Sequence, residues 1–200
     1  MRREAIEWCD IWVAQAKGTD LPRALLVGDS ITRSYYQKVA DGLRGRYACA
    51  RVATSKCVGD PGLFGELDLV LSEYAFEVIH FNNGMHGWDY TEPEYAAGLA
   101  SALDGLKVRA PDARLIVALT TPVRAGDAFA EIDQKTQRVR ERNRIASALA
   151  AERGIEVNDL FEIVIDHPEY HADRVHFNSR GQAELGSRVE MMIANAGRTA

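Results

Sequence analysis

The sequence has no uninterrupted apolar stretch approaching the length of a membrane span, which excludes a helical transmembrane protein. Its opening residues, Met1-Arg2-Arg3-Glu4, enter an amphipathic pattern without the apolar segment of a signal peptide, so a cytoplasmic protein with no membrane partner is expected. Cysteine is scarce: Cys9, Cys49 and Cys57 are odd in number and lack Cys-x-x-Cys spacing, which argues against a disulfide framework and against a thiolate metal site. No charge of one sign dominates. The net charge of -5 comes from interspersed acids and bases, which disfavours a nucleic-acid surface. Repeats, low-complexity tracts and interdomain linkers are lacking too. With 46% of 200 residues apolar, one domain spanning residues 1–200 buries a core that two halves could not.

What is present is organised around Ala24-Leu25-Leu26-Val27-Gly28-Asp29-Ser30-Ile31-Thr32-Arg33. A short apolar run without polar interruption reads as a strand buried on both faces, and it stops at a glycine, an acid and a serine before a helical pattern begins. In an open α/β sheet the ligand crevice lies beyond the carboxyl ends of the strands, where an opening helix aims its N–H groups and positive dipole end. Ser30 stands at such an opening. Taken alone, Gly-Asp-Ser fits a turn with a serine cap better than it fits a nucleophile.

Around this strand the chain alternates. The spacing of Ile6, Cys9, Val13 and Ala16, with Trp8 and Trp12 four apart, predicts a helix over 4–17 that packs on the sheet. Strands are expected at 47–53, 76–81, 114–119 and 155–157, and helices at 31–43, 63–74, 94–108, 129–153 and from 179 to about 194. Pro93 suits the first turn of its helix. Such alternation with short connections implies a parallel sheet with helices on both faces. Five strands in the flavodoxin-like order 2-1-3-4-5 make a three-layer α/β sandwich. In that order Ser30, after the first strand, faces the segment Asn82-Asn83-Gly84-Met85-His86-Gly87-Trp88, after the third, across the switch point.

A serine hydroxyl needs a base to take its proton, and the base needs a third group to fix its tautomer. Asp173 and His176, three positions apart before the last helix, can supply both roles. The plainer alternative is a surface Asp-x-x-His in which Asp173 caps that helix. His171, Asp173 and His176 also contain the residue types of a metal set, but a serine triad already uses two of them, and no metal or cofactor is expected. Trp88 and Tyr90 can form an aromatic wall. Arg33 and Arg124, at junctions on the same edge, can meet an anionic substrate group. His80 reads as a satisfied core histidine and His167, before Pro168, as a turn residue.

Gly28-Asp29-Ser30 after the first strand, Gly59-Asp60 after the second, a Gly-x-donor segment after the third and Asp173-x-x-His176 before the last helix resemble the four blocks of the SGNH, or GDSL-type, hydrolases, over Leu25 to about Leu185. The resemblance implies a flavodoxin-like fold and metal-independent hydrolysis of esters or thioesters. It implies further that Ser30 is the nucleophile, His176 the base and Asp173 its orienting acid, with the N–H groups of Ser30 and Gly59 as oxyanion donors. The third block departs from the family pattern Gly-x-Asn and has Gly84-Met85-His86. Either His86 donates through its ring, or Asn83 or Asn82 does so from a shifted position, or the site is degraded; His86 is the favoured donor. Gly-x-Ser-x-Gly is absent, which disfavours the larger α/β-hydrolase fold.

The expected activity is therefore a serine esterase acting on a small or carbohydrate-borne acyl ester, acetyl first, with Asn83, Trp88 and Arg124 contacting substrate. The alternatives are an acyltransferase, in which an acceptor hydroxyl replaces water, and a non-catalytic ligand-binding module on the same scaffold.

Overall fold

The computed structural model describes residues 2–197. Its centre is strand β2 (Arg23–Gly28), buried along its whole length, as an apolar run flanked on both sides must be. β2 pairs in parallel with β3 (Ala48–Thr54) and with β4 (Val78–Phe81), and the parallel sheet continues through β5 (Arg114–Ala118) to β8 (Glu156–Asn158). Counted along the five parallel strands, this is the expected order 2-1-3-4-5. Helices cover the faces in pairs: α1 (Ser30–Gly42) packs on α6 (Ser179–Ala196), and α3 (Glu92–Arg109) on α4 (Lys135–Glu152). α2 (Gly62–Leu71) lies against β3, and the short α5 (Leu160–Val164) against α6.

The junction of β2 with α1 is unusually tight. A Cβ on Gly28 would fall 2.0 Å from Oγ1 of Thr32, so only glycine lets the first turn of α1 fold back over the strand end. Asp29 then caps the helix, its carboxylate accepting from the amide of Ile31 at 2.9 Å.

Two expectations need correction. Residues 4–17 do not form a helix: β1 (Cys9–Val13) pairs antiparallel with β3, from Cys9 opposite Thr54 to Val13 opposite Ala50. The apolar spacing fits a helix, but the outer edge of β3 needs a hydrogen-bonding partner, and Cys-Asp-Ile-Trp-Val is rich in residues that favour strands. Trp12, which a packed helix would bury, is 58% exposed. Before β1, residues 2–8 cross the carboxyl edge of the sheet. The second correction is the start of α4. Gly126, with φ of +72°, turns the chain into a small ribbon, β6 (Arg124–Ala125) against β7 (Glu131–Ile132), with a short 3-10 turn between them. The helix begins only after Asp133, whose carboxylate accepts from the amide of Lys135.

Candidate active site

Ser30 is the first residue of α1, where helix amides lack intrahelical acceptors. Its Oγ lies 2.9 Å from Nε2 of His176, and Nδ1 of His176 lies 2.8 Å from Oδ2 of Asp173. The other oxygen of Asp173 accepts from the backbone amides of Val175 and His176, both at 2.7 Å. Partial desolvation works against ionisation of Asp173, but those two amides and the imidazole together hold its carboxyl below the usual value. An ionised carboxylate only accepts, so Nδ1 of His176 carries a hydrogen, and in the neutral ring Nε2 is the nitrogen that can accept from Ser30.

The segment carrying these groups is a tight local hairpin. His171 bridges Phe177, and the amide of Ala172 donates to the carbonyl of His176 at 2.9 Å. Asn178, not Asp173, caps α6, accepting from the amides of Arg180 and Gly181. The His171 ring is buried between Phe177 and Phe129, and neither of its nitrogens has a partner. Burial, reinforced by Arg124, pushes its pKa down to about 4. Among the described residues no three His, Cys, Asp or Glu side chains come together to hold a metal ion.

The loop after β4 forms the opposite wall. Ser30, His176, Met85, His86, Trp88 and Val123 are among the residues around a cavity of about 360 Å³, and Arg2, Arg3 and Glu4 close one side of it. Nδ1 of His86 donates to Oε1 of Glu4 at 2.8 Å, and the ring meets Trp8 edge-on. The rest of the N-terminal segment is fastened to the same edge: Arg2 to Glu94 and the carbonyl of Asp89, Arg3 to Asp60, and Glu7 to Lys56.

Sequence reasoning missed what holds this loop in shape. Arg142 of α4 is 1% exposed and donates to the carbonyls of Gly84, His86 and Gly87, each at 2.8 Å, while its guanidinium lies over the rings of Trp88 and Tyr95. One turn earlier, Arg138 donates to the carbonyls of Trp88 and Tyr90 and to Glu92. Asn143 on the same face both donates to and accepts from the backbone of Thr120. The available signal was the 3-4 spacing of Arg138, Arg142 and Asn143 with Val139 and Ala146 on one helical face.

Several expected site residues lie elsewhere. Asn83 is spent on the backbone: its Oδ1 accepts from Val58 and its Nδ2 donates to the carbonyl of Lys56. Asn82 donates to the carbonyl of Ala118. Gly59 is off the cavity wall, wedged between the Tyr90 ring and α3, where a Cβ would fall 2.6 Å from Tyr90 Cε1. Arg124 is buried and turned away, donating to the carbonyls of Val164 and Ile165 at the end of α5. Free carbonyls at a helix C-terminus attract a guanidinium. Arg33 lies over the ring of Trp8. His80, fully buried, meets Nδ2 of Asn158 through Nε2 while its Nδ1 has no partner, and burial pushes its pKa down to about 3. His167 begins a short turn and stacks on Tyr170. All three cysteines are free, and burial pushes the Cys49 thiol up to about 11.

Comparison with known proteins agrees with this architecture. A search of curated protein sequences finds no match. Among solved structures, a GDSL-like lipase from Bacteroides thetaiotaomicron superposes with a TM-score of 0.66 at 17% identity, over 87% of this chain and 88% of that one. An acetylxylan esterase from Geobacillus stearothermophilus superposes with a TM-score of 0.68 at 18% identity, over 86% and 94%. A further acetyl xylan esterase gives 0.68 at 15%, over 85% and 99%. At such identities the likeness is one of fold. The family profile described as GDSL-like lipase/acylhydrolase matches residues 26–184, a span that runs from β2 into α6 and takes in every parallel strand. The chain therefore belongs to the GDSL-like lipase/acylhydrolase family and is an ester hydrolase of that kind.

Proposed function

We propose that this hydrolase is a serine esterase that removes a small acyl group, acetyl first, from a small-molecule or sugar-borne ester. The observation that carries the reading is the unbroken chain of hydrogen bonds from Ser30 through His176 to Asp173, which opens into one cavity. Oγ of Ser30 attacks the ester carbonyl while its proton passes to Nε2 of His176. Asp173 holds the ring in the accepting tautomer and balances the charge that forms there. The proton then goes to the departing alkoxide, leaving an acyl-Ser30. Water, activated by the same nitrogen, hydrolyses it and restores the serine. The tetrahedral oxyanion is met by the amide of Ser30 at the positive end of α1, with His86 as the side-chain donor across the cavity.

The volume of about 360 Å³ sits at the small end of ligand sites, which favours a short acyl group, and Met85, Trp88 and Val123 give its wall an apolar part. Likeness in fold to two acetylxylan esterases points the same way. The test is a fluorophosphonate probe followed by peptide mass spectrometry, with a panel of p-nitrophenyl esters of increasing acyl length and acetylated sugars. The label is expected on Ser30, with turnover highest for acetyl. Label elsewhere, or undiminished hydrolysis in Ser30→Ala, refutes the reading.

A further inference from the structure

Two imidazoles face this cavity, and each is hydrogen-bonded through Nδ1 to a carboxylate at 2.8 Å: His176 to Asp173 and His86 to Glu4. Both rings have an assigned part in the chemistry, but of the two carboxylates only Asp173 has one. A carboxylate accepts and never donates when ionised, so Nδ1 of His86 must carry a hydrogen. In a neutral ring the Nε2 of His86 then has a lone pair and no hydrogen, and it would repel an oxyanion. It gains a donor only when the ring is an imidazolium.

Glu4 is the acid that touches the ring. The other charged groups around the cavity are Arg2 and Arg3 on the segment of Glu4, Asp89 on the loop of His86 itself, Lys135 on α4 and His176. Arg142, also on α4, lies against the His86 carbonyl. Arg2 and Arg3 are already paired, with Glu94 and Asp60, while Lys135 lies over the Trp88 ring.

We propose that Glu4 is a positioning residue that commits His86 to act as a charged donor, so that the esterase works with His176 neutral and His86 protonated. This deepens the serine-esterase reading and rests on it. Opposite protonation requirements on two imidazoles give a bell-shaped pH dependence of kcat/KM. A charge-assisted hydrogen bond to the oxyanion is stronger than one from a neutral donor, which gives the N-terminal segment a part in the rate.

The experiment measures kcat/KM for p-nitrophenyl acetate against pH in the full-length wild type, Glu4→Gln, His86→Ala and Ser30→Ala, with fluorophosphonate labelling of Ser30 alongside. A glutamine amide can accept from Nδ1–H or donate to a bare Nδ1, so Glu4→Gln admits the neutral tautomer with hydrogen on Nε2. The wild type is expected to lose activity tenfold per pH unit along its alkaline limb, Glu4→Gln to replace that limb with a plateau, and His86→Ala to be slow and flat there. Long-range ¹H–¹⁵N spectra at alkaline pH should show hydrogen on Nδ1 of His86 in the wild type and on Nε2 in part of the Glu4→Gln population, a change that a merely structural role would not produce. A wild-type rate that does not fall toward the His86→Ala level at alkaline pH, or a limb that persists in Glu4→Gln and His86→Ala, overturns the proposal while labelled Ser30 leaves the esterase reading standing. If Ser30 stays unlabelled and Ser30→Ala retains activity, both fall.

Discussion

The two histidine-bearing walls of the cavity are built in opposite ways. The His176 wall is local: Asp173 holds a ring and two amides within three residues of itself, and the hairpin closes by pairing His171 with Phe177. The His86 wall is assembled from afar. Its ring is held by a carboxylate 82 residues earlier and its backbone by a guanidinium 56 residues later. A local dyad survives changes elsewhere in the chain, whereas a remote one inherits the stability of everything between its parts. Chemistry at the His176 wall should therefore break without loss of fold, and the His86 wall should lose its shape when distant residues change.

The largest effect falls on the local dyad. Asp173→Asn keeps the hairpin shape but favours the wrong tautomer of His176, and kcat/KM should fall by ~10⁴-fold, the typical cost of that change, at an unchanged melting temperature. A comparable fall in Tm would mean that Asp173 is chiefly structural. At the remote wall, Arg142→Met should reverse that pattern. Three carbonyls lose their donor, and a stability loss of about 3–5 kcal/mol is expected in urea unfolding, accompanied by loss of activity. Within the same wall, His86→Ala should slow acylation by about 10²–10³-fold while the unfolding curve stays in place. Wild-type rates in that variant would leave the oxyanion to backbone donors alone.

The smallest effect tests the base of the local hairpin. His171 has its pKa lowered from 6.5 to about 4 because burial disfavours the imidazolium, so between those values the unfolded chain binds more protons than the folded one. Its contribution to stability is complete above pH 6.5, shrinks as pH falls and levels off below pH 4. At pH 5 the loss is about 2 kcal/mol relative to neutral pH. His171→Phe, among Phe129 and Phe177, should lessen the drop in Tm between pH 7.5 and pH 5. An identical drop in the variant would place the acid sensitivity elsewhere, with buried His80 the next group to replace.

The same contrast explains what could be read from the chain. β2, the Gly28-Asp29-Ser30 junction and Asp173-x-x-His176 are written in adjacent residues, and each stands where its pattern predicts. Residues 4–17 could not be read so, because the choice between helix and strand was made by the open edge of β3, some forty residues away. With that segment misread, Glu4 was invisible as a partner for His86. Arg124 was expected at the cavity because arginines at a sheet edge meet solvent or anions, but the carbonyls ending α5 claimed it. Arg138 and Arg142 were passed over for the same reason, since a run of arginines on a helix looks like a solvated face.

The grip of Arg142 and Arg138 on the loop after β4 has one further consequence. Both hold it through carbonyl oxygens, a group that every amino acid brings to every position. Apart from the Trp88 ring, over which both guanidinium groups lie, the clamp is therefore indifferent to what the loop's residues carry beyond the backbone. His86, which the clamp touches only at its carbonyl, can be exchanged without unfastening it, provided that Gly84 and Gly87 remain where a Cβ would strike Thr120 and Cys57. A library randomised at His86, over an unaltered α4, should yield mostly folded members, and selection among them can retune the acyl group this scaffold accepts.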